Sequence, residues 1–495
     1  MVTSSRLYSS SDTNRRKKME PKQRAFQVID QNAEQIADVG DAIWSFAEIG
    51  MQEYETHDLL VKVLSQEGFR IDPIEGFPTA VMATYGSGKP VIAVHTEFDA
   101  VPSGSQAAGV ADRRQPVVED APGHAEGHNT NAAVMVGAAV AAKRVLDEFS
   151  LEGTIKLFGT PAEEQILARP YFVRDGYLKG VDAAFHPHVG GRLSTSWGIR
   201  QYANMSIQYT FHGRTAHGAN PWLARNALDG AKLMSVGWDV QRQYIQPSAR
   251  SHTVITDGGV QPNVIPEVAT IWFYFRDVDR DGVLAMYERA KNVSQGAALM
   301  TGTTVTENML SAGWPTRDNV TMAEIVQKNI EMVGMPEWTP EEVELALKVQ
   351  KIGSVPEVGL ETKLFPLKKA VQGASTNDSG DICWTVPHGR ITFPANVPGI
   401  RGHHWTAAIA TATSIAHKGT VAGAKVLAAS MVDLFTSPEL LEKAKKTFAE
   451  EMAGTEYEPL LPPGQKPPAD LNKDTMDKYR PLMKPFYLRK EIKFV

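Results

Sequence analysis

The sequence predicts an α/β fold interrupted by an inserted α+β unit, and three observations carry that reading. Short, continuously apolar strands alternate with helical stretches between residues 79 and 185. Near Ser196 the texture changes to an order of strand, helix, strand, strand, helix, strand, and from Asn319 the first texture returns. The predicted division is a first catalytic part over 20–196, the insertion over 197–310, a second catalytic part over 311–440 and a C-terminal tail over 441–495.

Composition bounds the function. The 495 residues are 42 % hydrophobic and 22 % charged, ordinary values for a globular chain long enough for two or more domains. A formal charge of −6, from 57 acids and 51 bases, leaves no basic excess to attract nucleic acid or an anionic membrane. No membrane is expected as a partner either, since no apolar run approaches the ~18 residues of a spanning helix. Small molecules are the expected partners. Cys383 is the only cysteine, which excludes an intrachain disulfide and a cysteine-based zinc knuckle and fits a reducing, cytoplasmic location. The Ser-rich, basic stretch Met1–Met19 reads as a leader, with an organelle transit peptide as the other reading.

From Phe26 to Glu67, Ile29, Ile36, Val39, Ile43 and Phe46 recur at helical spacing, which predicts two helices broken near Gly50. Strands are predicted over Thr79–Thr84 and Pro90–His95. The turn between them is not a phosphate loop, because Ala83 stands where the first glycine belongs and Pro90 where Ser or Thr is needed. A helix is predicted over Thr130–Glu148, then strands over Thr154–Gly159 and Val181–Phe185. Within the insertion, strands are predicted over Ala203–Phe211, His252–Thr256 and Val268–Phe275, and helices over Leu223–Tyr244 and Gly282–Leu299. After a last helix over Ser414–Phe435, the tail carries P-P-G-Q-K-P-P and little periodicity, so it reads as irregular and packed on a neighbour.

Chemistry concentrates where these elements end. Gly123–Asn129 reads G-H-A-E-G-H-N at a helix entrance, where Gly123 and Gly127 permit tight turns and His124, Glu126 and His128 could converge on a metal ion. Glu97 and Asp99 follow one predicted strand, Glu163 and Glu164 another, and His186 and His188 a third. In open α/β sheets, ligands bind in the crevice outside the carboxyl ends of the strands. Each acid or histidine taken alone is most simply a solvated loop residue; four such ends in one topology point to a metal site.

Taken together, G-H-A-E-G-H-N, G-T-P-A-E-E, F-H-P-H-V, G-R-T-A-H-G and G-G-V-Q-P-N-V-I-P resemble the metal-dependent amidohydrolases of the aminoacylase and glutamate carboxypeptidase family. S-T-N-D-S-G-D and S-I-A-H-K-G narrow the likeness to the branch of indole-acetyl-amino-acid hydrolases and p-aminobenzoyl-glutamate hydrolase, over roughly residues 25–440. The resemblance implies a zinc-peptidase-like α/β catalytic domain with an inserted α+β (ferredoxin-like) lid that also makes a homodimer.

It also implies roles. Glu126, His128, Glu164, His188 and His403 would be metal ligands, and Glu163 the catalytic base. His186, with its His-Pro pair, competes with His188, and His404 with His403. Asp99 would orient a histidine ligand, and Glu97 stands where peptidase relatives have a ligand histidine, leaving His95 structural. On the lid, Asn263 and Arg276 match substrate-contacting positions; Arg276 could equally pair with Asp277 or Asp279. His217 would cross the dimer interface to the partner's oxyanion, and its other reading is a surface residue.

One departure matters. This branch usually reads G-H-A-C-G-H, and here Glu126 replaces the ligand cysteine, a harder donor that leans toward Mn²⁺ or Zn²⁺, as one ion or two. The expected activity is hydrolysis of the amide bond of an N-acyl or N-aroyl amino acid. Two other readings stand beside it: a degenerate, non-hydrolytic member, and a member that runs amide condensation or deamination.

Overall fold

The computed structural model describes residues 19–495, so the leader reading of Met1–Met19 lies, apart from Met19, outside the described residues. A six-stranded sheet organises the chain. Its spatial order is Arg70–Asp72, Val81–Ser87, Gly153–Thr160, Val91–Glu97, Ala183–Gly190 and His388–Pro394. The last four are mutually parallel, so their carboxyl ends open onto one edge.

The two faces of this sheet differ, and that difference places the site. Ile92, Val94, Ile155, Leu157, Phe185, Ile391 and Phe393 point to one face and pack against the helices Pro21–Gln31, Ala33–Phe46, His128–Phe149 and Ser414–Thr436. The Ala-rich sequence of His128–Phe149 suits this crowded position: a Cβ on Gly137 would lie 2.6 Å from Ile36 Cδ1. Alternation then sends His95, Glu97, His186, His188, His388 and Arg390 to the opposite face. Most of these polar side chains are tolerated inside because they partner one another, as His186 does Glu97 and His95 does His388.

The inserted unit has strands in the order Thr304–Gly313, Ala203–His212, Val268–Asp277 and Arg250–Asp257, all antiparallel. Phe273 and Phe275 face Trp238 and Met286 on the helices Ala227–Gln241 and Arg280–Thr301. Trp272, Tyr274 and Arg276 alternate onto the other face, toward the catalytic sheet. The chain leaves through Ser196–Ile199 and returns through Arg317–Asp318, and these two segments pair antiparallel.

Several elements differ from expectation. Three helices, not two, occupy the N-terminal region, because a break at Asn32 precedes the one near Gly50; the third spans Tyr54–Gln66. The strand expected to end at Phe185 continues to Gly190, so His186 and His188 are strand residues rather than loop residues. The tail is not irregular throughout: it holds the helices Pro438–Glu451 and Lys473–Met483 and packs on its own chain. Arg480 pairs with the buried Glu48, Tyr457 donates to Asp381 at 2.6 Å, and the Val495 amide donates to Asn32 at 2.7 Å. These partners lie 76 to 463 residues away, which is why local periodicity missed them. One helix, Ser414–Thr436, is long and apolar enough to cross a membrane, contrary to the sequence expectation; here it is a largely buried core helix.

Candidate metal centre and active site

Strand ends and two tight turns bring the site together. Glu163 and Glu164 follow Gly153–Thr160 in a single 3-10 turn, bracketed by Ala162 and Ile166 in the left-handed region. Gly127, at φ 119°, turns the chain into the helix that begins at His128, and a Cβ there would sit 3.1 Å from both Thr411 and Val189. Glu126 and His128 therefore both face the crevice.

Five of the predicted residues meet there. His403 Nε2 lies 3.0 Å from Glu126 Oε2 and 2.9 Å from Glu164 Oε2. The other Glu126 oxygen lies 3.6 Å from His188 Nε2, and His128 Nδ1 lies 3.9 Å from Glu164 Oε1. One carboxylate thus reaches two groups of donors, Glu164 with His403 on one side and His188 on the other. Two buried atoms among them, His128 Nε2 and Glu164 Oε1, have no hydrogen-bond partner among the described residues. A cluster of carboxylates and imidazoles with orphaned donor atoms suits a divalent cation. The hydrogen bonds that His403 donates to Glu126 and Glu164 push it up to about 10. Glu126 is held down to about 2: burial opposes its charge, but the His403 hydrogen bond and the neighbouring histidines outweigh that.

A ring of buried groups holds these side chains. Asp99 Oδ1 lies 3.3 Å from His128 Nδ1, while its Oδ2 accepts the Glu164 amide at 3.0 Å. Glu97 lies 3.3 Å from His188 Nε2 and could itself complete a group with His128 and His188. Its oxygens are already engaged by Arg169, by His186 at 2.9 Å and by Asn131 at 3.2 Å. Arg169 also pairs with Asp378, so one buried guanidinium ties Glu97 to the S-T-N-D-S-G-D segment. Behind Glu97, His95 Nε2 lies 2.9 Å from His388 Nε2, and His388 meets Asp318 at 2.7 Å.

Glu163 borders the ligand cluster and could itself complete a group with His128 and Glu164. Its Oε2 is 3.8 Å from His128 Nε2, and its Oε1 accepts from Asn377 Nδ2 at 2.5 Å. Burial, followed by the charge of Glu97, raises its carboxyl well above the usual carboxylate range. A carboxyl of raised pKa facing a cation site can accept and return a proton near neutral pH.

Not every residue singled out in the sequence arrives here. His124 is buried with Nε2 3.1 Å from the Ile43 carbonyl, and burial lowers it to about 3. It misses the cluster because Gly123 pairs with Val101 and fixes the segment before the turn. His186 lies behind Glu97, and His404 turns to Thr406 at 2.8 Å, so His188 and His403 are the members of each pair that face the crevice. His217 and Asn263 sit together on the inserted unit, joined by the bond from the Gly218 amide to the Asn263 carbonyl at 2.8 Å. Neither lines the cavity of its own chain that holds Glu126, Glu163 and His403. Arg276 does line it, and it pairs with neither Asp277 nor Asp279: Asp277 is taken by Ser248 at 2.6 Å, and Asp279 caps a helix through Gly282 at 2.9 Å.

Sequence reasoning missed Asn377, Arg169, Arg200 and Arg390. Asn377 lies inside a motif that carries the resemblance but has no role from spacing alone, and its density of small and polar residues was the available signal. Arg169 and Arg390 gave none, since a single arginine within a helix or strand is most simply a surface residue.

Comparison with known proteins agrees with this geometry. The family model described as peptidase family M20/M25/M40 matches residues 93–465. The chain is 32 % identical over 452 residues to one of the subunits of p-aminobenzoyl-glutamate hydrolase of Escherichia coli (strain K12), covering 85 % of this chain and 93 % of that protein. It is 27 % identical to the Xaa-Arg dipeptidase of Mus musculus, over 86 % and 92 % of the two chains. The crystal structure of a dinuclear metal-binding M20 peptidase of Bacillus subtilis shares the fold, with a TM-score of 0.52 and 17 % identity over 84 % of this chain and 99 % of the other. A family match across three quarters of the sequence, together with a relative above 30 % identity over nearly its whole length, settles descent: the chain belongs to the M20/M25/M40 peptidase family.

Proposed function

We propose that this protein is a metal-dependent amidohydrolase that cleaves the amide bond of an N-acyl or N-aroyl amino acid, a p-aminobenzoyl-glutamate-like or related conjugate. The single observation that carries this reading is the placement of Glu163, a buried carboxyl of raised pKa, beside a cluster of five donors with orphaned buried atoms. The names of the relatives, which include a p-aminobenzoyl-glutamate hydrolase, an indole-3-acetyl-aspartic acid hydrolase and an N-acetyl-L-cysteine deacetylase, support the substrate class.

Glu126, His128, Glu164, His188 and His403 would hold one or two divalent ions, Mn²⁺ or Zn²⁺, with Glu126 able to serve both positions. When bound, such an ion supplies Lewis acidity, which makes water a competent nucleophile near neutral pH and polarises the scissile carbonyl. The chain's own residues do the rest. Glu163 takes the proton from water and returns it to the leaving nitrogen, and Asn377 fixes the orientation of its carboxylate. Asp99 orients His128, and the Val189 carbonyl at His188 Nδ1 orients His188, beside Glu97, which Arg169 holds. Arg276, unpaired and facing the cavity, binds the α-carboxylate of the substrate.

His217 and Asn263 belong to a site shared between two chains of a homodimer. Their absence from the lining of their own cavity supports this, as do exposed apolar side chains on the inserted unit: Trp222 is 69 % exposed, and Val236, Val240 and Val254 are exposed along its outer helix and edge strand. The inserted unit then acts as lid and dimerisation domain, joined at hinges near residues 197 and 310, in a cytoplasmic enzyme. The test is direct: purified protein is assayed for bound metal and for amine release from a panel of N-acyl and N-aroyl amino acids. Metal-dependent release supports the reading. Metal binding without hydrolysis of any conjugate overturns it.

A further inference from the structure

A second cavity of 380 Å³ adjoins the one that holds the carboxylate cluster, and the two share Arg200 and Arg390. Its wall is cationic: Arg192 and Lys368 join those two arginines, while Phe365 supplies an apolar side. Arg390 is the informative member. It lies on the strand His388–Pro394, on the polar face of the sheet and opposite His186, and is only 8 % exposed. Its Nη1 is buried without a hydrogen-bond partner, and among the described residues no carboxylate comes within 4.0 Å of its guanidinium. Asp318, one of the carboxylates whose charge acts on Arg390, is engaged by His388 at 2.7 Å and lies 3.5 Å from Arg200 Nε.

Burying a guanidinium without a partner is costly, and placing a second beside it adds repulsion. Both effects are visible, since burial and then the charge of Arg200 pull Arg390 down to about 9. An anion between the two forks would relieve both. A carboxylate fits the planar donor geometry, and the cavity opens from the place where the scissile amide would lie.

We infer that Arg390 and Arg200 form a subsite for a second carboxylate of the substrate, distinct from the α-carboxylate assigned to Arg276, so that the enzyme selects dianionic conjugates, those of acidic amino acids. This rests on the amidohydrolase reading, in that the anion is taken to be part of a substrate.

The experiment compares isosteres. N-benzoyl-glutamate and N-benzoyl-glutamine differ by one charge, and N-succinyl-leucine places the second carboxylate on the acyl side instead. Binding is measured by calorimetry, and kcat/KM where turnover occurs, for the wild type and for Arg390→Gln and Arg200→Gln. The wild type should favour the glutamate over the glutamine conjugate by roughly ten- to hundredfold, the worth of hydrogen bonds to a charged group. Either substitution should bring that ratio toward one; Arg200→Gln, at a partly exposed junction, guards against misfolding of the other. Equal binding of the two benzoyl conjugates by the wild type overturns the inference, as does a preference for N-succinyl-leucine over N-benzoyl-glutamate, which would place the anion on the acyl side. Selective binding without hydrolysis of any conjugate would overturn the amidohydrolase reading while supporting this subsite.

Discussion

Asn377 Nδ2 donates to Glu163 Oε1 at 2.5 Å, across 214 residues of sequence, and so fixes a carboxyl at the border of the donor cluster. If Glu163 is the base, its aim matters as much as its pKa. Asn377→Ala should lower kcat by roughly tenfold or more, since misdirecting a proton acceptor forfeits part of general-base catalysis, while bound metal stays unchanged. Metal analysis beside steady-state kinetics checks this; loss of metal would show that Asn377 supports the ligands instead.

Glu163→Gln keeps the side chain's shape but cannot accept the proton. Turnover should fall by roughly a hundred- to ten-thousandfold with metal content retained. A variant that loses its ions would mean that base and ligand had been exchanged within the Glu163–Glu164 pair.

Removal of metal by a chelator should abolish hydrolysis, and Mn²⁺ or Zn²⁺ should restore it, because Glu126 and Glu164 place carboxylate donors 3.0 and 2.9 Å from the imidazole donor of His403. Glu126→Ala should reduce the ions bound per chain more than His188→Ala does, since Glu126 faces both donor groups. Full activity in verified metal-free protein would sink the cation-dependent mechanism.

His217→Ala should lower kcat by about a hundredfold, the worth of one donor aimed at an oxyanion, with little effect on metal content. Mixing inactive Glu163→Gln chains with inactive His217→Ala chains, under conditions that exchange subunits, creates one intact composite site per heterodimer. Recovered activity supports a shared site. No recovery despite proven exchange would remove His217 from the partner's chemistry.

Asp381 gives a stability prediction with a definite sign. Burial pushes its carboxyl up to about 7, against the bonds from Tyr457 and Trp314 that favour its charge. An aspartate in an unfolded chain titrates near ~3.9, so between about pH 4 and 7 the folded chain holds a proton that the unfolded chain has released. The contribution is complete below that window and is lost as pH rises through it, by an amount on the order of a few kcal/mol. Asp381→Asn should therefore gain stability relative to the wild type between pH 5 and pH 8 in denaturant titrations. A difference between the two proteins that does not change with pH would contradict this.

The local sequence determined much of this protein. Apolar runs such as Val91–Val94 and the small-residue helix after Gly127 marked the strands and the core helix, because burial on both faces requires such composition. Paired acids and histidines at the ends of those elements marked Glu126, His128, Glu163, Glu164 and His188, since the carboxyl edge of a parallel sheet gathers whatever its strands deliver. The motif resemblance supplied His403. Where local pattern treats neighbours alike, the resemblance favoured His188 over His186 and named Glu126, and the tertiary structure showed what parts them: His186 and His188 share one face of their strand, but Glu97 engages His186 at 2.9 Å, and the turn at Gly127 and the pinned Gly123 separate Glu126 from His124. The tertiary structure alone brought in Asn377, Arg169 and Arg390, whose partners or vacant faces arise from contacts across hundreds of residues, and it folded the tail onto its own chain. Periodicity reports the environment one element expects; which side chains meet inside that environment depends on register and closure, and those are set when the elements pack.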